Sequence, residues 1–333
     1  MRGRFCVVST MRNEGPFILE WVAHYKALGF DDIVVSTNDC EDTTVELLLA
    51  LQERGWVRHH ATVKPTTRAL QIAAIEQALD YDEARQARWV FVCDADEFLN
   101  IKVGDGSARA LVAASEQGAD GIWVPWRVFG ANGTNRFRDT PVKAQFLQGQ
   151  RDPPAARVVG NWGKSFHCND AREKFRVVGI HKPNARKAHS VNFRINLPGG
   201  QPYFHNGTRS SVKTSFDLAQ VNHYALRSLD SYLVKRDRGP GFQTKMTIGL
   251  DYWRCFDRNH CQDDSIRRYD EDAARWMALF QRDAQLIKLH QASVAWHEQK
   301  AREMRAAPEL RALIAALEEK LNCPQHPQTG RAS

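Results

Sequence analysis

Apolar runs alternate with amphipathic stretches through the first 130 residues. Phe5–Thr10 is an apolar run of strand type. Pro16–Leu28 repeats its apolar residues at helical spacing, with Pro16 suited to a first turn and Gly29 to the stop. Asp32–Asn38 predicts a second strand. Thr43–Glu53 predicts a helix capped by Thr43 or Asp42 and ended by Gly55. A strand over Trp56–Val63, a helix over Thr67–Leu79 and a buried strand at Trp89–Val92 follow. A helix over Ser107–Gln117 and a strand over Gly121–Phe129 complete the series. Such alternation predicts an α/β fold, a mostly parallel sheet with helices on both faces.

Beyond this the pattern loosens. Residues 131–220 are rich in Gly, Pro, Asn, Arg and His and read as a loop-rich cover over the sheet edge. Ser228–Lys235 reads as a helix, broken by Gly239-Pro240-Gly241. Asp270–Gln299 and Pro308–Leu321 read as amphipathic helices, a C-terminal helical extension, and Asn322–Ser333 as a frayed tail. In the extension, Trp276, Met277, Leu279, Phe280, Leu286, Ile287 and Leu289 form an apolar set suited to core packing or a partner helix. Basic neighbours such as Arg275, Arg282, Lys288, Lys300 and Arg302 leave peripheral contact with an anionic inner membrane open.

Charge sharpens this division. The 333-residue chain carries a net +7. Residues 1–150 hold 16 basic and 20 acidic side chains, residues 151–245 hold 17 and 6, and the remainder 13 of each. A basic middle facing an acidic first half suits a polyanionic ligand such as a nucleotide diphosphate. No nucleic-acid-binding motif accompanies the charge. No apolar run of about 18 residues predicts a membrane span, and the N-terminus lacks a signal-peptide pattern, so a cytoplasmic address is expected. The seven cysteines contain no CxxC pair, so neither a zinc ribbon nor a dithiol redox site is indicated.

Candidate chemistry lies at the predicted strand ends, the ligand edge of an open α/β sheet. After Trp89–Val92 come Asp94, Asp96 and Glu97. Carboxylates packed this closely repel unless a cation neutralises them, and oxygen-rich sites suit Mg²⁺ or Mn²⁺, which grip phosphate oxygens. The first strand runs into Asn13-Glu14 with no GxGxxG, which disfavours a dinucleotide-binding dehydrogenase. The second ends in Asn38-Asp39.

Together these places form a longer pattern. The run NEGPFILEWVAHYKALGFDDIVVSTNDCEDTT (13–44) and DADEFL (94–99) resemble family-2-like glycosyltransferases, nearest the bacterial branch similar to glycosyltransferase family 92. WRVFGANG (126–133), Asn222-His223-Tyr224, Ser228 and the segment Lys235–Gly239 extend the resemblance over roughly residues 5–265. The resemblance implies a GT-A-type, Rossmann-like fold, with residues 1–130 as the nucleotide-binding half and 131–265 as the acceptor and metal half. Residues 266–322 are then the C-terminal helices, and 323–333 the tail. It implies a metal-dependent hexosyl transfer from a nucleotide sugar, with UDP the expected nucleotide, to a glycan or lipid-linked acceptor in cell-surface polysaccharide synthesis. It implies Mn²⁺ (or Mg²⁺) held by Asp94, Asp96 and His223, Asp96 being the direct ligand and Asp94 nearer the ribose or metal. Without it, His223 reads as a core histidine bonded to backbone. Asn13, Glu14, Asn38, Asp39, Arg68, Gln71 and Asp94 are then donor-binding candidates, and Glu97 binds hydroxyls or orients a neighbour. An inverting course needs a general base. Asp170, Glu173, His181 and Asp217 all qualify, and a retaining course would need none of them.

Two rivals are weighed. A haloacid-dehalogenase-type phosphatase wants Thr or Val four residues after its first Asp and the motif near the first strand, whereas Phe98 stands here after the fourth. A catalytically degenerate GT-A module binding glycan or a protein partner is the non-enzymatic alternative, and the intact acidic motif argues against it.

Overall fold

The computed structural model describes residues 3–66, 69–153, 162–205, 208–209, 213–239 and 248–322. The first half runs β1 (Arg4–Met11), α1 (Gly15–Ala27), β2 (Asp32–Thr37), α2 (Thr44–Glu53), β3 (Arg58–Ala61), α3 (Leu70–Ala78), α4 (Asp82–Arg85), β4 (Ala87–Val92), β5 (Glu97–Ile101), α5 (Ala108–Ser115) and β6 (Gly121–Val128). Then come α6 (Val142–Gln145), β7 (Gln148–Gly149), β8 (Gly163–Cys168), β9 (Phe175–Val178), β10 (Pro183–Ala185), β11 (Ile195–Asn196), β12 (Pro202–His205), β13 (Thr208–Arg209) and β14 (Ala219–His223). The rest comprises α7 (Leu229–Arg238), α8 (Leu250–Phe256), β15 (Cys261–Gln262), α9 (Asp270–Gln281), α10 (Ala284–Ala306) and α11 (Arg311–Asn322).

The main sheet has the order β13-β12-β11-β6-β8-β4-β1-β2-β3, with β14 beside β6 and β5 beside β14. β5, β8 and β12 run against the other strands, so the sheet is mostly parallel, as the alternation predicts. Residues alternate across it. Phe5, Val7, Ile33, Val35, Trp89 and Phe91 share a core with α1 and α2, while Cys6, Val8, Val34, Val90 and Val92 pack against Ile75 and Ala78 of α3 and Ala84 of α4. Both faces being covered explains why these strands read as continuous apolar runs. A third cluster joins Leu229, Tyr232 and Leu233 of α7 to Trp253 of α8 and Ile314 and Leu317 of α11.

The structure adds elements that the apolar pattern hides. β8 lies within the region read as loop, yet all six of its residues are buried between β4 and β6. Its polar Lys164, Ser165 and His167 mask the pattern. Gly163 opens it by necessity, since a Cβ there would run into the Val124 carbonyl and the Trp123 ring. Asp270–Gln299, read as one helix, is two: Asp283 breaks it and caps α10 by accepting from the Gln285 and Leu286 amides at 3.0 and 3.1 Å. Of the apolar set there, Phe280 and Leu286 are buried and Trp276, Met277 and Leu289 pack against the main core, so its face is used internally. Among the described residues no helix is long and apolar enough to cross a membrane. Cys255 and Cys261, like the other described cysteines, are free thiols.

Candidate functional site

The acidic loop between β4 and β5 is fastened from below by α1. Trp21, His24 and Tyr25 fall at the i, i+3, i+4 spacing that shares one helix face. Trp21 Nε1 donates to the Asp94 carbonyl at 3.3 Å, Tyr25 Oη to that of Glu97 at 3.1 Å, and His24 Nε2 lies 2.8 Å from that of Leu99. β5 then pairs antiparallel with β14, placing His223 directly opposite Glu97. This cross-strand pairing brings a histidine more than 120 residues away onto the acidic loop.

The loop opens onto a cleft of about 960 Å³ at the C-terminal edge of the sheet. Thr10, Met11, Asn38 and Asp39 line it from the ends of β1 and β2, with Gln71, Asp94 and Asp96 beside them. His181 and Lys182, from the turn between β9 and β10, form another wall. Trp126, Trp162, Tyr252 and Phe256 form an aromatic one.

The three carboxylates of the loop have separate surroundings. Asp94 accepts from Gln71 Nε2 and from Lys164 Nζ, both at 2.8 Å. Asp96 accepts from Lys235 Nζ at 2.6 Å through Oδ2, and its Oδ1 lies 3.7 Å from His223 Nε2. Burial alone would raise the Asp96 pKa; the Lys235 ammonium outweighs it and holds the carboxyl well below its usual range. Glu97 is fully buried and takes the Asp94 amide at 2.8 Å, with Lys164 Nζ 3.3 Å away. Burial pushes its pKa well up. His223 is kept neutral by burial, its ring 4.3 Å from that of Trp126.

Asp96, Glu97 and His223 each present a ligand atom within 4.8 Å of the other two. Glu97 Oε1 and His223 Nδ1 have no hydrogen-bond partner although both are buried. Two carboxylate oxygens and a neutral imidazole with unused valence fit a divalent cation such as Mn²⁺. Asp94, expected in this set, is not in that cluster; it lines the cleft beside it, its two oxygens accepting from Gln71 and Lys164.

Other expected residues divide by place. Glu14, Asn38, Asp39, Gln71 and Asp94 line the cleft. Asn13 does not line it, and its Oδ1 accepts the Glu41 amide at 2.7 Å, fixing the turn after β1. Glu14 is buried in an ion cluster, paired with Arg227 at 2.9 Å and with Arg238, so its carboxylate is spent on α7 and the turn before it. Arg68 lies outside the described residues. Among the base candidates His181 lines the cleft. Its Nδ1 lies 3.1 Å from the Gly163 carbonyl, so that nitrogen carries the proton and Nε2 keeps its lone pair. Burial and the neighbouring Lys164 lower its pKa to about 4. Asp170 and Glu173 sit on the turn after β8, at the opposite end of the sheet, where Asp170 meets Arg88 at 3.3 Å. Asp217 is exposed ahead of β14, at the far end of that strand from His223. These three placements follow from β8 and β14, whose directions the sequence does not display. Lys164 and Lys235, the direct partners of the carboxylates, are not among the expected site residues; Lys164 stands inside the Trp162–Cys168 segment, and Lys235 opens the segment Lys235–Gly239 that carries part of the resemblance.

No family model and no curated protein matches the sequence. Solved structures do. S. aureus TarS 1-349 in complex with UDP is 13% identical, the match covering 61% of this chain and 60% of that one, with a TM-score of 0.34. A second structure of TarS 1-349 is 11% identical over 96% and 88% of the two chains, with a TM-score of 0.36. Glucosyl-3-phosphoglycerate synthase from Mycobacterium tuberculosis, in complex with Mn²⁺, UDP and glucosyl-3-phosphoglycerate, is 14% identical over 52% and 59%, with a TM-score of 0.32. Likeness at this level leaves the chemistry of the cleft to be read from its own side chains.

Proposed function

We propose that this protein is a metal-dependent glycosyltransferase of GT-A type, moving a sugar from a nucleotide-sugar donor, a UDP-sugar in the first instance, to a glycan or lipid-linked acceptor. The observation that carries this reading is the convergence of Asp96, Glu97 and His223 beside a 960 Å³ cleft at the sheet's C-terminal edge. That is the place and size for a nucleotide-bearing ligand.

Asp96, Glu97 and His223 would hold the cation. When bound, Mn²⁺ or Mg²⁺ supplies positive charge to the departing diphosphate. The chain's own residues do the rest. Asn38, Asp39 and Gln71 offer hydrogen-bonding groups for base and ribose on the β2 side of the cleft. Trp126, Trp162, Tyr252 and Phe256 offer ring faces and exclude water on the opposite side. His181 is neutral with a free Nε2 and takes the acceptor hydroxyl's proton in an inverting course.

The test is turnover of a panel of nucleotide sugars with and without Mn²⁺. Wild-type protein should hydrolyse or transfer from at least one of them in a Mn²⁺-dependent way. Asp96→Asn should remove that activity while circular dichroism stays unchanged. Full activity in Asp96→Asn, or no binding of any nucleotide sugar by the wild type, overturns the reading.

A further inference from the structure

We infer that Lys235 is a direct ligand of the donor's diphosphate, aimed by Asp96, so that one carboxylate serves both the bound cation and a protein ammonium. This rests on the nucleotide-sugar reading above. Lys235 lies on α7, and its Nζ donates to Asp96 Oδ2 at 2.6 Å and to the Ala225 carbonyl at 2.9 Å. An ammonium has three N–H groups. Two are placed by these bonds; the third is on the cleft side, where the Tyr252 ring centroid lies 5.6 Å from Nζ and where a ligand can share it with that wall. The other oxygen of Asp96 faces His223. Asp96 therefore has two working sides, Oδ1 toward the cation ligands and Oδ2 toward the ammonium.

The second buried lysine shows what a purely structural partner looks like here. Lys164 is fully buried, is shared by Asp94 and Glu97, and does not line the cleft. Arg238, one turn beyond Lys235, is committed to Glu14. Lys235 differs in reaching the cleft, where its Nζ stands 5.6 Å from the centroid of the Tyr252 ring, and a positive charge there opposes a cation on the same carboxylate. A ligand carrying its own negative charge resolves that opposition, because metal and ammonium then share the anion between them.

The two effects have opposite signs, which makes the test specific. Calorimetric titration of wild type and Lys235→Met would use three probes: Mn²⁺ alone, UDP with Mn²⁺, and uridine. Losing a charge-assisted bond to phosphate should weaken UDP about tenfold or more in Lys235→Met. Uridine, with no phosphate, should bind unchanged. Mn²⁺ alone should bind more tightly, by about threefold or more, once the like charge is gone. Lys235→Gln, which keeps two N–H donors for Asp96 and Ala225 without the charge, carries the same expectations should Lys235→Met fail to fold. Equal UDP affinity in the variant and wild type, equal losses for UDP and uridine, or weaker Mn²⁺ binding would each overturn the assignment. A wild type that binds Mn²⁺ but no uridine compound overturns the donor reading instead.

Discussion

Lys164→Met tests how the acidic loop is held together. The substitution keeps an unbranched side chain, one atom shorter, and removes its charge. Lys164 is fully buried; its Nζ lies 2.8 Å from Asp94 Oδ2 and 3.3 Å from Glu97 Oε2. Burial disfavours the charged ammonium, but Asp94 and Glu97 outweigh burial and keep it protonated. Without it, Asp94 retains Gln71 as a partner, while Glu97 retains only the Asp94 amide. Breaking a buried pair by removing one member costs about 3–5 kcal/mol. With an unfolding entropy of about 2.1 cal/mol/K per residue, the 333-residue chain should lose about 4–7 °C in Tm. Glu97→Gln in the same chain removes the carboxylate left behind and keeps an acceptor for the Asp94 amide. The double variant should therefore be more stable than the sum of the single changes, with a coupling of about 1–3 kcal/mol. Calorimetry and urea unfolding of the four proteins measure this. A shift under about 1 °C in Lys164→Met, or strict additivity in the cycle, would show that the lysine is not the counter-charge of this loop.

Three further outcomes are expected. His181→Ala should lower kcat by about 100-fold or more with little change in nucleotide affinity, if His181 moves the acceptor proton; steady-state kinetics and UDP titration separate the two. Asp283→Ala removes the α10 cap and its ion pair with Arg54, and should cost about 1–2 kcal/mol in urea unfolding. His167 is buried at the far end of the sheet with neither ring nitrogen partnered, and burial with nearby Arg172 lowers its pKa to about 3. The unfolded chain therefore binds a proton that the folded chain refuses as pH falls below about 6.5, so this group contributes to stability above that value and the contribution fades toward about pH 3. His167→Leu should flatten the loss of stability on acidification, on the order of 5 kcal/mol at most, in pH-dependent thermal unfolding.

The sheet's first half was legible because its strands are covered on both faces and its helices carry their own stops. Gly29 and Gly55 take the positive φ values, 80° and 71°, that end α1 and α2. What stayed hidden were strands whose buried residues are polar. β14 reads Ala-Gln-Val-Asn-His, and every one of the five is buried because Gln220 and Asn222 hydrogen-bond to each other and Gln220 also to Asp263. Local pattern cannot show that a polar side chain has a partner forty residues away. Glu14 illustrates the same limit. At a strand end it reads as a ligand contact, but the arginines that claim it stand at 227 and 238.

The acidic loop was legible for a reason that proves incomplete. Carboxylates that repel each other do not by themselves require a metal, because a folded chain can bring its own cations. Lys164 and Lys235 do this for Asp94, Glu97 and Asp96. Two of the three negative charges are thus offset before any ion arrives, and the case for a cation rests less on the excess of negative charge than on the unused ligand atoms. The lysines leave His223 Nδ1 and Glu97 Oε1 without partners, and a buried polar atom left so costs about 1–3 kcal/mol. At Glu97 a bound cation would relieve that cost, whereas His223 faces Asp96 through Nε2 and not through the unpartnered Nδ1. Asp94, whose two oxygens are both taken, then has less to gain from a cation than Glu97, whose Oε1 is unused.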